Sequence, residues 1–429
     1  MLLDSREGVV KLIKSLERKL TTERLARYWT GFHGMPFALY DANNVFLDAH
    51  PNPPDGFAAE DGIFVGERTR DFVGNTVIEL NGEYTALWDI STVSSVISEE
   101  RLFSLIVHEM FHGFQLRVGD KRFANELLLC QYPFESKNIG LRIKEREWLV
   151  KAVFAETALV RREYTARFVS LREERRSLIG DYLTYELGLE SIEGTATYVE
   201  FQAFMEETQL PKDYLAAKYG YRLAGEIDRL EDFRPSCYPS GMFICLLLDS
   251  LDPNWHHEYT LSSLYLYDFL VQRTMADRRD MKVDNRECLG AETMARHLIA
   301  EYTENKRKSI DDFERSGGYR VVLEGNMGLS KFDPMNIVSV DSMALHKHFL
   351  EVSYGGGTIF LDQSALAIIS KDNLHKIQEL HVFVPRKPRP RGDRVWLEDI
   401  GCIKGTLRER SGVFLVELSG EDIENRPVG

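Results

Sequence analysis

The stretch Ser98–Gln115, SEERLFSLIVHEMFHGFQ, decides the fold because it combines a helical pattern with two histidines on one face. Ser98 followed by two glutamates is typical of a helix N-terminus, and apolar residues then recur at helical spacing. His108 and His112 stand four positions apart, so both imidazoles project from the same face and can bind one ion. Glu109 points about 100° away around the helix. Its carboxylate is therefore predicted to lie beside the metal and not on it.

The pattern His-Glu-x-x-His at 108–112 predicts a site for one zinc ion per chain. A catalytic zinc is usually held by three protein ligands and keeps one position open for water. In such a site Glu109 serves as the general base that takes a proton from that water. The alternative is that His108 and His112 are two ordinary histidines of the surface or the core.

The third ligand is sought downstream, in a second helical segment that reads LGLESIEGTATYVEF at 187–201. Glu193 shares a helix face with Ala196 and Glu200. Gly194 and Ala196 are small enough to let this helix approach the first one closely, which places a short carboxylate about 2 Å from the metal. Glu193 is therefore the predicted third ligand.

Three other glutamates compete with Glu193 for that position. Glu190 and Glu200 lie within two helical turns of it, and Glu156, in VFAETALV, is more distant. For Glu190 and Glu200 the alternative role is an exposed carboxylate, or one that hydrogen-bonds a ligand histidine as metal sites commonly require.

Together these residues resemble the gluzincin metallopeptidases, the group that includes thermolysin and the aminopeptidase N relatives. Their signature is His-Glu-x-x-His on one helix and a glutamate ligand on a following helix, often within Glu-Gly-x-Ala-x-Tyr. This chain reads Glu-Gly-Thr-Ala-Thr-Tyr at 193–198. The resemblance implies His108, His112 and Glu193 as zinc ligands. Because about eighty residues separate His112 from Glu193, a helical pair at about Leu141–Tyr182 is expected to be looped out.

The resemblance extends to the segment Cys-Tyr-Pro-Ser-Gly at 237–241, which precedes the apolar run MFICLLLDSL. Aminopeptidase N relatives place a tyrosine in a similar Tyr-x-x-Gly context, where its phenol hydrogen-bonds the oxyanion formed on the substrate carbonyl. The likeness implies Tyr238 as that donor; the alternative is an ordinary buried tyrosine near a helix start. The chain has no Gly-x-Met-Glu-Asn segment, which in the aminopeptidases holds the substrate's free amino terminus. Internal or terminal cleavage therefore stays open.

The fold class expected from these patterns is α+β, with a zincin-like catalytic core and a mainly helical body. Residues 1–97 are predicted to form an N-terminal α+β region whose clearest element is a hairpin turning at Asn81-Gly82, since both residues tolerate the positive φ of a type I′ turn. Residues 98–318 are predicted to form the helical zinc domain. Residues 319–429, rich in β-branched and aromatic runs, are predicted to form a small β-rich C-terminal domain.

The composition limits the partners and the location of the protein. A net charge of -14 repels a phosphate backbone, so no nucleic acid partner is expected. Five scattered cysteines without a CxxC pair are typical of reduced thiols in a cytosol. The N-terminus lacks the apolar core of a secretion signal, and the most apolar later stretch, Met242–Leu248, is far shorter than the roughly 20 residues that cross a bilayer. A cytoplasmic protein without a membrane partner is expected.

Two further patterns are interpreted as ordinary surface. The segment Arg161–Arg176, RREYTARFVSLREERR, is dense in charges of both signs and is predicted to be a solvated helix face. His256 and His257 are adjacent, so they point to different faces and are assigned to the surface or to the rim of a substrate site.

The function expected from the sequence is therefore that of a zinc-dependent metallopeptidase acting on a peptide or protein substrate. Zinc activates the water, Glu109 moves its proton and Tyr238 stabilises the oxyanion. Two alternatives remain: a zinc hydrolase of non-peptide amides or esters, and a non-catalytic zincin-like binding or regulatory protein.

Overall fold

The computed structural model describes residues 5–92, 97–224, 229–274, 285–370 and 373–419. Within these residues the chain is α+β, as predicted, with 11 α-helices and two mixed sheets. It forms two compact units. The first comprises Met1–Ala124 and Lys137–Thr293, and the second comprises Asn125–Ser136 and Met294–Gly429.

The first unit opens with two helices and a six-stranded sheet. These elements are α1 (Arg6–Lys19), α2 (Thr22–Tyr28), β1 (Phe37–Tyr40), β2 (Asn44–Asp48), β3 (Ala58–Glu60), β4 (Ile63–Glu67), β5 (Thr76–Leu80) and β6 (Glu83–Asp89). The strand order is β3-β4-β2-β1-β6-β5, with β1 and β6 parallel and the other neighbours antiparallel. Strand β5 is therefore an edge of the sheet.

The predicted hairpin between β5 and β6 is confirmed. Asn81 and Gly82 form its turn with φ values of 46° and 85°, the positive angles that a type I′ turn requires at both central positions. Val77 faces Ala86 across the pair. The turn could be predicted because its cause is local to two residues.

Helices make up the rest of the first unit. They are α3 (Glu99–Arg117), α4 (Ser136–Val153), α5 (Ala158–Ile179), α6 (Leu183–Thr208), α7 (Lys212–Ala224), α8 (Cys237–Asp249), α9 (Trp255–Leu261), α10 (Leu266–Thr274) and the start of α11 (Asn285–Glu314). Ser98 caps α3 as predicted, because its hydroxyl accepts a hydrogen bond from the backbone N–H of Arg101 at 3.2 Å. Helices α4 and α5 occupy the part of the chain where the helical pair was expected.

Helices α6 and α8 cross at two glycines. A Cβ on Gly194 would lie 2.5 Å from the Cα of Gly241, and a Cβ on Gly241 would lie 2.4 Å from the carbonyl oxygen of Glu190. No other residue fits at this distance, so the two glycines set how closely the two helices approach.

The prediction that Arg161–Arg176 is a solvated helix face is wrong. The segment is helical, but the side chains of Arg172 and Arg175 are 0% exposed. Their ion-pair partners are three equally buried glutamates, Glu145, Glu186 and Glu190. The glutamates come from α4 and α6, so charge density along α5 alone could not show that its charges are paired inside the protein.

The second unit contains an 11-stranded sheet. Its strands are β7 (Tyr319–Phe332), β8 (Ile337–Val340), β9 (Met343–His346), β10 (Leu350–Tyr354), β11 (Gly357–Leu361), β12 (Ala365–Ile369), β13 (Lys376–Val384), β14 (Arg389–Arg391), β15 (Arg394–Leu397), β16 (Gly401–Arg410) and β17 (Val413–Leu418). The path runs β14-β15-β16-β17-β7-β13-β12-β9-β8, while β10 pairs with β7 and β11 with β10. The β-rich C-terminal region is thus confirmed.

The N-terminal sheet and the helices α3 to α10 lie in the same compact unit. The finer division at residues 97 and 318 stays a prediction. Among the described helices, none is both long enough and apolar enough to cross a membrane.

Candidate metal centre

Helix α3 brings His108 and His112 together. Their Nε2 atoms lie 3.1 Å apart, and the planes of the two rings are inclined at 77°. The four-residue spacing places both rings on one face of the helix, as the sequence predicts. His108 is buried and His112 is half-buried.

Helix α6 adds Glu193 to the two histidines. Its Oε2 lies 3.5 Å from Nε2 of His108 and 3.3 Å from Nε2 of His112. His108, His112 and Glu193 form a group whose possible ligand atoms all lie within 4.8 Å of one another. The structure therefore brings the three predicted ligands to one point.

The spacing of these three atoms fits a zinc ion. With bonds of about 2.0 to 2.1 Å, tetrahedral geometry separates two ligand atoms by about 3.3 Å. The observed separations of 3.1, 3.3 and 3.5 Å bracket that value. Two imidazoles and one carboxylate are also a donor set that zinc commonly binds in catalytic sites.

Glu200 orients His108 from the side opposite to Glu193. Its Oε2 lies 2.9 Å from Nδ1 of His108, and its other oxygen is paired with Arg101. Because an ionised carboxylate only accepts, Nδ1 of His108 carries a proton, and Nε2 is the nitrogen that is left to bind a metal. The side chain of Glu200 is therefore a partner of a histidine, which is one of the roles left open for it.

Gln115 orients His112 in the same way. Its amide nitrogen donates to the carbonyl of Ile192 at 2.9 Å and to the hydroxyl of Thr195 at 3.0 Å, which uses both of its hydrogens. Its oxygen is left to accept from Nδ1 of His112 at 2.7 Å. The hydrogen bonds at Nδ1 therefore leave the Nε2 atoms of both histidines directed at the same point.

The electrostatics of the group are dominated by its acidic residues. Burial lowers the pKa of His108, but hydrogen bonds to Glu193 and Glu200 outweigh burial and raise that pKa to about 10. Burial raises the pKa of Glu193, yet His112 and His108 hold it well below the usual range. Glu193 is therefore ionised, and a metal ion would have to displace the proton from Nε2 of His108 to bind there.

Glu109 is not one of the three residues of that group. Its side chain is buried, and burial raises the pKa of its carboxyl although His108 and His112 partly oppose this. A raised pKa brings a carboxyl closer to neutral pH, where it can both accept and return a proton.

Tyr238 lies in the first turn of α8, beside His108. The two rings are stacked with centroids 6.4 Å apart and planes inclined at 23°. Its hydroxyl accepts a hydrogen bond from Nη1 of Arg234. Burial, followed by the charge of Glu193, raises the pKa of Tyr238, so the phenol keeps a proton that it can donate.

Two of the competing glutamates lie elsewhere. Glu190 is buried in the ion pair with Arg172 and accepts a hydrogen bond from Ser240, and Glu156 is exposed. The surface assignment is wrong for His256, which is buried against Trp29 and Trp255, whereas His257 is exposed. Trp29 and Tyr198, which are distant from His256 in the sequence, also pack against its ring. The sequence around His256 therefore did not reveal its burial.

Sequence reasoning missed Arg101, Gln115 and Arg234. Gln115 carried a local signal, because it follows His112 by three residues on α3 and so shares a helical face with it. Arg234 carried none, because it precedes the first residue of α8. Arg101 carried none, because its partner Glu200 lies 99 residues away.

Comparisons of the chain with protein-family models, with curated proteins and with solved structures found no match.

Proposed function

We propose that the protein is a zinc-dependent metallopeptidase with a gluzincin-like site and a zincin-like catalytic core. The observation that carries the proposal is the convergence of His108, His112 and Glu193 from two helices at zinc-ligand spacing. Glu109 beside them supplies the base that a purely structural metal site does not need. One zinc ion per chain is the cofactor proposed.

When bound by His108, His112 and Glu193, a zinc ion would act as a Lewis acid that polarises a carbonyl and makes a water more acidic. Glu109 accepts the proton of the attacking water and delivers it to the leaving amine, a role that its raised pKa favours. Tyr238, protonated and next to His108, donates its hydroxyl hydrogen to the oxyanion that develops on the substrate carbonyl.

A peptide is the substrate class that the N-terminal sheet favours. Strand β5 is an edge strand, so its outer backbone groups are available to an extended chain. Strand β5 passes close to the site. Gly113 follows His112 in α3, and a Cβ added to it would lie 3.6 Å from Cγ1 of Val77 on β5. An extended peptide bound along β5 would run beside the two histidines. We propose a peptide or protein substrate and the cytoplasmic setting that the cysteine pattern suggests.

The test combines metal content with turnover. Purified protein is expected to hold one zinc per chain, and His112→Ala and Glu193→Ala are expected to lose it. Glu109→Gln is expected to keep the zinc and to lose cleavage of a peptide library, since the amide cannot accept the proton.

The outcomes separate the alternatives. Full peptide cleavage by Glu109→Gln contradicts the assigned base. Turnover of small amides or esters with no peptide cleaved identifies a hydrolase of another class. A protein that stays free of metal when zinc is supplied contradicts the proposal as a whole.

A further inference from the structure

The guanidinium of Arg234 contacts both Glu193 and Tyr238. Arg234 lies just before α8, where its backbone carbonyl accepts from the N–H of Cys237 at 3.0 Å. Its side chain is buried, and the guanidinium carbon lies 5.5 Å from the centroid of the Tyr238 ring. The side chain therefore belongs to the wall of the site.

The two oxygens of Glu193 have different partners. Oε2 faces the histidines at 3.3 and 3.5 Å, whereas Oε1 lies 3.1 Å from Nη2 of Arg234. A carboxylate oxygen held by a guanidinium is turned away from the metal position and is partly neutralised. Glu193 is thus arranged to offer one oxygen and not two.

We propose that Arg234 is a positioning residue that keeps Glu193 a one-oxygen ligand and so preserves an open coordination position for water. The inference rests on the proposed metal site. With Oε1 released, Glu193 can chelate through both oxygens, so that an ion that also keeps its water becomes five-coordinate and that water is crowded. The ion would also receive more negative charge and would be a weaker Lewis acid.

The same guanidinium sets the direction of the Tyr238 hydroxyl. Because Arg234 has only donors, the phenol oxygen must accept from it, and the phenol hydrogen must point to another acceptor. One side chain therefore contacts both the proposed third ligand and the proposed oxyanion donor.

The test is the visible spectrum and affinity of Co²⁺ in Arg234→Met, compared with the parent and with Arg122→Met. Arg122 is a matched control, since it is 8% exposed like Arg234 but binds Asp120 and the carbonyls of Tyr259 and Leu264. A tetrahedral, four-coordinate Co²⁺ absorbs visible light more strongly than a five-coordinate one, because a tetrahedral field mixes more p character into the d orbitals.

We expect Arg234→Met to bind Co²⁺ at least as tightly as the parent, with a loss of visible absorption. Arg122→Met is expected to keep the parent spectrum and to unfold at lower denaturant. Arg234→Lys retains the packing and the charge but cannot reach both partners, so its absorption is expected to fall as well. This second variant decides the question if Arg234→Met does not fold.

Spectra of both Arg234 variants that match the parent overturn the inference alone. So does a ten-fold or greater loss of Co²⁺ affinity that Arg122→Met does not share, because it would mean that Arg234 merely supports Glu193. A parent that binds no Co²⁺ overturns the proposed function together with this inference. A parent that binds Co²⁺ but cleaves no peptide overturns only the peptidase assignment, and the spectra still decide the role of Arg234.

Discussion

At the scale of single residues, the orientation of His108 depends on Glu200. This carboxylate fixes which ring nitrogen carries the proton, and Arg101 holds it in place. Partners of this kind affect metal affinity without touching the metal, because they limit the rotation of the ring and raise its basicity.

Glu200→Gln is therefore expected to weaken zinc binding roughly 10- to 100-fold. The measurement is competition for zinc against a chelator of known affinity. Glu207→Gln is the control, since Glu207 is also on α6 but is paired with Lys19 and Arg24. Equal affinities in the two variants would contradict the role assigned to Glu200.

The sequence predicted the ligand residues and missed their supports for a physical reason. His108, Glu109 and His112 lie on one helix, so their geometry follows from its pitch. Glu193 was predicted by its Glu-Gly-x-Ala-x-Tyr context. The contact of Arg234 with Glu193 spans 41 residues and depends on how α8 meets α6, which no local pattern encodes.

At the scale of elements, the close crossing of α6 and α8 places Glu193 and Tyr238 in one site. Gly194 and Gly241 are the contact point. Sequence reasoning identified Gly194 as a site of close approach, but it assigned the approach to the zinc helix, whereas the structure places α8 against it. Helix periodicity shows that a face is buried and does not show which helix covers it.

Gly194→Ala is expected to destabilise the protein by about 1–3 kcal/mol, because the added methyl would overlap the backbone of α8. At a helix position with no close neighbours, replacing Gly by Ala stabilises the protein by up to about 1 kcal/mol. Gly290→Ala on α11 tests this, since nothing lies within 4 Å of its Cβ position. Denaturant unfolding should therefore shift in opposite directions for the two variants, and a stabilised Gly194→Ala would refute the tight crossing.

At the scale of the whole molecule, acid sensitivity is expected from a buried histidine in the second unit. His346 ends β9 and is 2% exposed, and burial lowers its pKa to about 4. Below its ordinary pKa of 6.5 the unfolded chain binds a proton that the folded chain does not. The contribution of His346 to the free energy of unfolding is thus fully present above pH 6.5 and is lost as the pH falls towards 4.

The loss is expected to reach about 3 kcal/mol, at about 1.4 kcal/mol for each pH unit between the two pKa values. Urea unfolding at pH 7 and pH 4.5 measures it. His346→Gln should show a smaller drop than the parent, while His297→Gln, which replaces an exposed histidine of the same unit, should match the parent. An unchanged drop in His346→Gln would assign the acid sensitivity to other groups.

One turn of α6 carries both Glu190 and Glu193, the first bound to Arg172 of α5 and the second directed at the histidines of α3. A local opening that releases Glu190 must disturb the same turn and carry Glu193 away. Binding of a metal ion by Glu193 should therefore also oppose the local unfolding that breaks the ion pair between Glu190 and Arg172. Amide hydrogens of α5 should therefore exchange more slowly with solvent when a metal ion is bound, although α5 contributes no ligand. The exchange rate of α5 would thus report metal binding at a site that α5 does not touch.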